Sequence, residues 1–192
     1  MKILLVSATD LEIAKERFSD FEILITGIGM LNTSISLTQR LSSGKYDLLI
    51  NIGVAGSFNP ELNIGDVVEV VEEKISELGF EDGESFSEFN EFNLKNVFEN
   101  KSKTDLLSVR SITVNRVHGN KRSITEIINR LNPDIENMEG AAFFQVCNTF
   151  NVPCIQIRAI SNKVEHRNKD NWNLPLAIKN LNNKVEEIIA EL

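Results

Sequence analysis

The chain has 192 residues, of which 42% are hydrophobic and 25% are charged, and these proportions are ordinary for a globular protein. The formal net charge of −8 argues against a general nucleic-acid binder, because neutralising phosphates requires a basic face. No apolar run approaches the roughly 20 residues of a membrane-spanning helix, and the first residues lack the pattern of a cleaved signal peptide. The two cysteines form no CxxC motif, and no histidines cluster. We therefore expect a cytoplasmic protein without a metal site, a membrane partner or a nucleic-acid partner.

Short apolar runs alternate with segments of helical periodicity along the chain. This alternation indicates an α/β layered fold with a largely parallel or mixed sheet flanked by helices. No internal repeat, low-complexity tract or linker interrupts it, so we predict a single domain over residues 1–192. The predicted strands cover residues 3–8, 21–26, 46–53, 65–71, 106–115, 134–138 and 154–160, and the predicted helices cover residues 31–43, 124–131, 141–150 and 174–192.

Local signals predict where helices begin and which side of each faces the core. Thr9 or Asp10 can cap a helix directly after the first strand, and Glu12 then lies in its first turn. On position alone, a solvated acid that complements the helix dipole is the simpler explanation of Glu12. Ser123 and Glu126 match a capping box. Helical spacing places Leu31, Ile35, Thr38 and Leu41 on one face of a helix. In the last helix it places Ile178, Leu181, Val185, Ile188 and Leu192 inward.

One end of the predicted sheet has the features of a ligand site. The last predicted strand stops at Ser161 and Asn162 and opens into a polar segment that ends at Trp172. In open α/β sheets, ligands bind beyond the carboxyl ends of the strands. Glu139 stands just ahead of another apolar run. Small residues at 54–57 end the central strand, and they either let a ligand approach the backbone closely or form a tight turn.

Two further stretches are less specific. The segment from Gly27 to Asn32 matches GxGxx but lacks the third glycine of the dinucleotide-binding motif, so we interpret it as a tight strand-to-helix turn. Residues 76–103 are polar with scattered phenylalanines and poor regularity. That composition predicts an excursion over the sheet edge, either a lid or a subunit contact.

Several short motifs follow one another in a recognisable order and spacing. They are Ser7-Ala8 with Glu12, Thr26-Gly27-Ile28-Gly29, Asn51-Ile52-Gly53-Val54-Ala55-Gly56 with Gly65-Asp66-Val67-Val68, Asn137-Met138-Glu139-Gly140-Ala141-Ala142, Asn151-Val152-Pro153 and Arg158-Ala159-Ile160-Ser161-Asn162. The set resembles the purine nucleoside phosphorylase and nucleosidase superfamily, with the methylthioadenosine/S-adenosylhomocysteine nucleosidases as the closest named group. The match covers nearly the whole chain and is weakest at 76–103. Residues 161–172, with 78–83 upstream, look more similar to one branch, the futalosine hydrolases of the alternative menaquinone pathway.

The resemblance implies a nucleoside phosphorylase/hydrolase-like fold, a purine nucleoside as small-molecule partner, no cofactor, and a homodimer or larger homo-oligomer. It implies hydrolysis of the N-ribosidic bond of a 6-oxopurine nucleoside, with futalosine giving hypoxanthine and dehypoxanthine futalosine. By resemblance, Glu12 activates water, Glu139 binds the ribose hydroxyls and faces the developing oxocarbenium charge, and Met138 packs on the sugar. Further implied substrate contacts are Ala8, Val54, Ala55, Gly56, Val117, Asn137 and Ser161.

Asn162 is the second implied catalytic residue, and it departs from the adenine-releasing relatives. Those proteins carry an aspartate there, which can protonate N7 of the purine. A carboxamide can donate to O6 of a 6-oxopurine while it accepts from a protonated N7. It matches the 6-amino group of adenine poorly. Asn162 therefore favours hypoxanthine or guanine, and a simple cap of the strand end is the alternative.

The nucleophile and the function class have alternatives. The turn at 51–56 has no arginine, and Val54 lacks a hydroxyl, so the phosphate ligands of phosphorolytic relatives are missing and water is the favoured nucleophile. A methylthioadenosine/S-adenosylhomocysteine nucleosidase is one alternative, and a non-catalytic nucleoside-binding protein is another. His118 is either a pocket wall, a substrate contact or a surface turn residue. The loop at 166–172 either closes over the site, binds a substrate carboxylate, or is solvated, and Arg158 is expected in a buried polar pairing near Glu139.

Overall fold

The apolar runs form strands and the periodic segments form helices in the computed structural model, which describes residues 1–89, 92 and 94–192. The strands are β1 (Ile3–Ser7), β2 (Glu22–Ile25), β3 (Leu48–Ser57), β4 (Val67–Ile75), β5 (Gly79–Asp82), β6 (Ser85–Glu88), β7 (Val97–Glu99), β8 (Leu107–Thr113), β9 (Ile135–Asn137) and β10 (Cys154–Lys163). The α-helices are α1 (Met30–Ser43), α2 (Lys121–Leu131), α3 (Gly140–Phe150) and α4 (Leu174–Glu191). Two short 3-10 helices cover Lys15–Phe18 and Lys169–Asn171.

In the part of the chain that the structure describes, eight strands form one mixed sheet, and five of them close into a ring. In this ring β3 pairs with β10 in parallel, β10 with β4 antiparallel, and β4 with β8 in parallel. The ring closes because β8 pairs with β9 in parallel and β9 pairs with β3 antiparallel. From β3 the sheet continues through β1 to β2, both in parallel, and β7 pairs with β4. The predicted α/β class with a mixed sheet flanked by helices is confirmed.

Both faces of the sheet are covered by helices. Leu4 and Val6 of β1 pack in one core with residues of α1 and α3, whereas Ile3 and Leu5 pack in a second core against α4. A strand that is buried on both faces has a continuous apolar sequence, because neither side alternates with solvent. This is why the first apolar run was identifiable as a buried strand.

No helix in the described part of the chain is both long enough and apolar enough to span a membrane. That residues 1–192 make up one domain stays a prediction.

The segment after β1 differs from the prediction, because no α-helix follows this strand. A turn leads instead into the 3-10 helix at Lys15–Phe18. Asn182 of α4 binds the polar backbone of this segment from both sides. The Ala14 N–H donates to Asn182 Oδ1 at 2.8 Å, and Asn182 Nδ2 donates to the Glu12 carbonyl at 3.0 Å. Tertiary hydrogen bonds therefore replace those that a helix would have supplied.

α1 presents a different face to the core from the one predicted. Leu31 and Ile35 are exposed, and the buried residues of this helix are Thr33, Leu37 and Leu41. Both stripes have nearly helical spacing, so the periodicity alone could not separate them. Packing of α1 beside α3 selects the stripe that contains Leu37 and Leu41.

Two element ends also differ from the predictions. The N-cap of α2 is Asn120, whose side chain accepts from the Arg122 N–H at 2.9 Å, so the predicted capping box at Ser123 does not form. Leu192 follows the last residue of α4 and is exposed rather than inward. Terminal residues of helices fray, and a hydrophobic pattern alone does not predict the last residue of a helix that is buried.

β10 does not stop at Ser161 and Asn162 as predicted but continues to Lys163. The register with β3 shifts between Ile160 and Asn162, which marks a bulge in the ladder. A bulge bends the strand and redirects its side chains, and bulges are common beside binding sites. Polar residues at the end of this strand therefore mark a redirected strand and not its termination.

Residues 76–103 contain more regular structure than predicted. β5 and β6 form a hairpin, and β7 pairs with the second half of β4. Phe98 is buried in the core that α1 and α3 share, whereas the rings of Phe80 and Phe89 lie 5.3 Å apart near the hairpin. Residues 90, 91 and 93 of this segment lie outside the described residues. A lid or subunit contact formed by this segment stays a prediction.

Candidate active site

A cavity of about 360 Å³ lies where β1, β3 and β10 end at the same edge of the sheet. Parallel strands bring their carboxyl ends together, and an α/β sheet is expected to hold its ligand there. The structure brings together all eleven residues that the sequence predicted as catalytic or substrate-binding. The cavity wall includes Ala8, Glu12, Val54, Ala55, Gly56, Val117, Asn137, Met138, Glu139, Ser161 and Asn162.

The wall also contains residues that the sequence did not single out or left open. Glu136 was missed, because nothing in the local sequence distinguishes a buried carboxylate in this short strand from an exposed one. The structure shows that all three residues of β9 are buried. His118, for which a surface turn was the alternative, lines the cavity. The other wall residues are Thr9, Leu11, Ile28, Lys163, Glu165, Arg167, Asn168, Trp172, Leu174 and Ile178.

Both carboxylate oxygens of Glu12 are held by hydrogen bonds. Oε2 accepts from the Thr9 backbone N–H at 3.1 Å and from Thr9 Oγ1 at 2.9 Å. Oε1 accepts from the Val54 N–H at 3.1 Å. An ionised carboxylate accepts only, so donors on both oxygens fix its orientation at the cavity wall.

Glu139 is buried, with 9% of its surface exposed. Its Oε1 accepts from the Gly29 N–H at 2.9 Å, and its Oε2 accepts from the Met138 N–H at 3.3 Å. The glycine turn after β2 therefore supplies a donor to this acid. Burial raises the pKa of Glu139, while the positive charge of Arg158 and the bond from Gly29 oppose the rise.

Arg158 places a positive charge in the interior behind the cavity. It is 1% exposed, and its Nη2 donates to Asn51 Oδ1 at 2.5 Å. Within the described residues it forms no direct salt bridge with Glu139, so the expected pairing is a through-space attraction rather than a contact. Burial lowers the pKa of Arg158, and the charges of Glu139, Glu73 and Glu12 oppose that shift.

Asn137 holds the start of α3 in place. Its Oδ1 accepts from the Glu139 N–H at 2.9 Å and from the Gly140 N–H at 2.7 Å. Its Nδ2 donates to Glu73 Oε2 and to Ser111 Oγ, each at 2.9 Å. The protein thus uses both ends of this carboxamide. The Asn137 side chain orients the backbone that carries Glu139, which leaves little hydrogen-bonding capacity for a substrate.

Glu73 is the centre of the buried network that Asn137 belongs to. It accepts from Thr113 Oγ1 at 2.7 Å and from Gln156 Nε2 at 2.6 Å as well. Burial raises the pKa of Glu73, and these three hydrogen bonds oppose the rise. Thr113 Oγ1 in turn accepts from the Ala141 N–H at 2.8 Å. The network therefore binds the first turn of α3 at more than one point.

Gly140 stands against this network with no room for a side chain. A Cβ atom there would lie 2.6 Å from Gln156 Nε2 and closer still to Glu73 Oε2. Such separations are far inside ordinary contact distance. The glycine that follows Glu139 is therefore required by close packing against a buried carboxylate.

Asn162 lies beside Ser161 and Gly56 at the bulge of β10. Its Nδ2 donates to the Lys163 carbonyl at 2.9 Å, and its Oδ1 is 2.9 Å from Ser161 Oγ. A Cβ on Gly56 would come within 3.2 Å of Asn162 Nδ2, so the glycine leaves space for this carboxamide. A ligand that binds Asn162 must replace these local bonds.

The loop after β10 contributes to the wall through two stacked side chains. The Arg167 guanidinium lies 5.0 Å from the ring centroid of Trp172, and both residues line the cavity. Lys163 is occupied elsewhere, because its ammonium group donates to the carbonyls of Asn59 and Pro60 at 2.9 and 3.2 Å. In the described part of the chain, no group of three or more His, Cys, Asp and Glu side chains is arranged to hold a metal ion.

The sequence profile of the phosphorylase superfamily matches residues 22–190. A 5′-methylthioadenosine/S-adenosylhomocysteine nucleosidase of Anoxybacillus flavithermus is 31% identical over 157 residues, which cover 72% of this chain and 66% of that protein. A futalosine hydrolase of Thermus thermophilus is 28% identical over 184 residues, which cover 89% of this chain and 82% of that protein. Several other relatives, at 28% to 32% identity, are also described as methylthioadenosine/S-adenosylhomocysteine nucleosidases.

Solved structures share the fold over the whole chain. The structure of a futalosine hydrolase mutant of Helicobacter pylori superposes with a TM-score of 0.86 at 18% identity and covers 100% of each chain. At that identity the likeness establishes the fold, and the sequence profile establishes the family. The chain belongs to the phosphorylase superfamily.

Proposed function

We propose that this protein hydrolyses the N-ribosidic bond of a purine nucleoside and releases the free base. The observation that carries the proposal is the meeting of Glu12, Glu139 and Asn162 in one cavity at the carboxyl edge of the sheet. Breaking the bond builds positive charge on the ribose and negative charge on the base. The reaction is therefore helped by a base for water, a carboxylate near the sugar and a hydrogen-bonding group near N7.

Glu12 is the general base in this proposal. Its carboxylate needs to accept a proton from water while it keeps one orientation, and the donors from Thr9 and Val54 supply that orientation. A positioned base contributes about 10²–10⁴-fold to a rate.

Glu139 is the sugar-binding acid. Its ionised form accepts hydrogen bonds from ribose hydroxyls and stabilises the oxocarbenium-like transition state through its charge. The Gly29 N–H and the buried charge of Arg158 both favour that ionised form. Met138, the residue before it, lines the same cavity and packs on the sugar.

Asn162 sets the class of base, and we propose a 6-oxopurine. Its carboxamide donates to O6 and accepts from protonated N7, whereas the donor at the 6-position of adenine meets this pair poorly. Futalosine, an inosine-like nucleoside with an aromatic 5′ extension, is the proposed substrate, which would place the protein in menaquinone biosynthesis. The relationship to the Thermus futalosine hydrolase supports this choice.

Water rather than phosphate is the proposed nucleophile. The turn that follows the central strand lines the cavity with Val54, Ala55 and Gly56, none of which carries a charge or a hydroxyl. Phosphate is held best by bidentate arginine pairs. Arg158, whose Nη1 would lie 3.3 Å from a Cβ added at Gly53 of this turn, is buried and donates a hydrogen bond to Asn51.

A second candidate function is release of adenine from methylthioadenosine or S-adenosylhomocysteine. The relatives that carry this name favour it, since they match at similar identity. A nucleoside-binding protein without turnover is the third possibility, because a fold does not fix a function.

We also propose that the protein is a homodimer or larger homo-oligomer. Leu11, Ile28 and Leu31 are 80%, 56% and 74% exposed, and the first two line the cavity. Exposed apolar side chains at the edge of a site are typical of surfaces that a second subunit covers. Sedimentation of the purified protein tests this, and a monomer at micromolar concentration would contradict it.

The test of the reaction is base release from futalosine, inosine, methylthioadenosine and S-adenosylhomocysteine, each with and without phosphate. Hypoxanthine from futalosine at a rate that phosphate does not change supports the proposal. A rate that requires phosphate would make the protein a phosphorylase. Binding without release of any base would select the non-catalytic alternative.

A further inference from the structure

We propose that His118, held by Glu136, reads the N1 edge of the purine and so sets the preference for a 6-oxopurine over a 6-aminopurine. The proposal rests on the nucleoside site described above and adds a residue pair to it. It identifies His118 as a specificity-determining residue and Glu136 as the residue that positions it.

The pair is built as a rigid unit on the cavity wall. Glu136 is 4% exposed, and its Oε1 accepts from the His118 backbone N–H at 2.9 Å. Its Oε2 lies 2.5 Å from His118 Nδ1. The ring of Phe58 packs edge-on against the imidazole, with centroids 5.8 Å apart. Backbone, ring nitrogen and ring edge are therefore all fixed, which is the support that a recognition residue needs.

The carboxylate also determines which ring nitrogen carries the proton. An ionised carboxylate can only accept, so the neutral imidazole beside it keeps its proton on Nδ1. Nε2 then presents a lone pair. Within the described residues, no protein donor or acceptor binds His118 Nε2, and His118 is one of the residues that line the cavity. Both carboxylate oxygens of Glu136 therefore bind His118, and the Nε2 lone pair of His118 is left as an acceptor for a ligand.

The pair lies beside the residue proposed to bind the base. Gly56 is the link, because a Cβ there would come within 3.2 Å of Asn162 Nδ2 and 3.6 Å of Glu136 Cγ. Gly56 itself pairs with Glu136 across β3 and β9. The acid that holds His118 and the carboxamide of Asn162 therefore flank the same glycine.

The two ligand edges differ at the atom that such an acceptor would meet. A 6-oxopurine carries a proton on N1 and donates it, whereas N1 of a 6-aminopurine is itself an acceptor. As an acceptor, His118 Nε2 forms a hydrogen bond with N1–H of a 6-oxopurine. Against a 6-aminopurine, its lone pair faces the lone pair of N1 and the two repel. A site that pairs a polar group with one base leaves that group unpaired with the other, and discrimination arises from this difference.

Two variants of this chain test the proposal in opposite ways. His118→Phe keeps an aromatic ring against Phe58 but removes both nitrogens. Glu136→Gln keeps the shape of the acid but adds an N–H that can donate to Nδ1, which moves the imidazole proton to Nε2 and turns it into a donor. The matched control for the second variant is Glu126→Gln, an exposed acid on the surface of α2 that lies outside the cavity wall.

The measurement is the affinity for free hypoxanthine and free adenine by calorimetry, together with kcat/KM for futalosine and for methylthioadenosine. We expect His118→Phe to lower the hypoxanthine-to-adenine preference about tenfold, the worth of one hydrogen bond. Glu136→Gln should lower the preference further and improve adenine binding, which a purely structural role of Glu136 would not do. Thermal unfolding of each variant confirms that it is folded.

The outcomes separate this proposal from the function of the whole site. A wild-type protein that releases hypoxanthine, with variants that keep its base preference, would overturn the role of His118 alone. A wild-type protein that binds neither base would overturn the site itself and this inference with it. Weaker adenine binding in Glu136→Gln would also contradict the proposed acceptor, because it would mean that Nε2 is a donor in the wild type.

Discussion

The carboxylate of Glu12 joins the ends of two adjacent parallel strands. Thr9, just after β1, donates to Oε2 through its backbone and its hydroxyl, and the Val54 N–H of β3 donates to Oε1 at 3.1 Å. Neither strand could hold this side chain alone, because each supplies donors to only one oxygen. The pairing of β1 with β3 is therefore what orients Glu12 toward the cavity.

Replacing Glu12 by glutamine should reduce turnover while preserving the fold. The carboxamide fills the same space but cannot accept a proton from water, so kcat should fall about 10²–10⁴-fold with a small change in KM. Steady-state base release measures both constants. Glu16→Gln, an exposed acid in the following 3-10 helix, is the control and should leave both constants unchanged. An unaltered kcat in Glu12→Gln would show that Glu12 is not the general base.

Asn162→Asp should change which base is released. An acid at this position has no N–H donor for O6 but can protonate N7, so hypoxanthine release should fall about tenfold or more and adenine release should rise. The comparison is kcat/KM for futalosine against methylthioadenosine. Asn148→Asp on the exposed side of α3 controls for the added charge. If the ratio of kcat/KM for futalosine to kcat/KM for methylthioadenosine stays constant, Asn162 does not determine which base is released.

Gly140→Ala should destabilise the protein even though alanine is the better helix former. The added Cβ would press on Gln156 Nε2 and Glu73 Oε2, and overpacking of this kind costs about 1–3 kcal/mol. The shift should also displace Glu139 and raise KM. Ala142→Gly in the same helix is the control, since it lowers stability by about 1 kcal/mol without moving Glu139. Denaturant unfolding and base release together distinguish the two variants, and a Gly140→Ala protein of normal stability and KM would contradict the packing argument.

The pH dependence of activity should reflect Glu139. Because burial raises the pKa of this acid above its ordinary value of 4.5, it becomes protonated at a higher pH than an exposed glutamate does. The ionised form binds ribose in our account, so kcat/KM should fall as the pH drops through the raised pKa. Full activity at pH 4.5 in a folded protein would show that the ionised acid is not needed.

The stability of the fold should respond to the same group in the opposite sense. The folded state favours the protonated acid, so the contribution of Glu139 to stability is complete below the pKa of the unfolded chain and is lost as the pH rises through the folded pKa. Unfolding of wild type and Glu139→Gln across this range measures the difference. A difference that grows in favour of the wild type with rising pH would mean that the pKa is lowered instead.

Local patterns in the sequence predicted much of the fold and of the cavity wall. Strands buried on both faces give continuous apolar runs, and Glu139 and Asn162 each stand beside such a run. The prediction of a helix after the first strand was wrong, because Asn182 of α4 forms hydrogen bonds with the backbone of that segment. Leu31 and Ile35 of α1 were misassigned because two stripes with similar spacing compete for the core.

Contacts between distant residues could not be predicted from local patterns. Glu73 accepts hydrogen bonds from Asn137 and Gln156, which lie 64 and 83 residues away in the sequence. No residue near Glu73 in the sequence indicates that this acid is buried. The pair of His118 and Glu136 depends in the same way on β9 lying beside β8, the strand that precedes His118. Such networks arise from the closure of the sheet, which no local periodicity encodes.

A competition between futalosine and methylthioadenosine, in one reaction with purified protein and no phosphate, tests whether the site prefers a 6-oxopurine. Chromatography of the released bases gives the ratio of hypoxanthine to adenine, which equals the ratio of the two kcat/KM values when both substrates are present at equal concentration. Hypoxanthine is expected to predominate, and Glu12→Gln should lower its release about 10²–10⁴-fold. Release of adenine in excess would contradict the 6-oxopurine assignment and make the methylthioadenosine/S-adenosylhomocysteine nucleosidase activity the correct one.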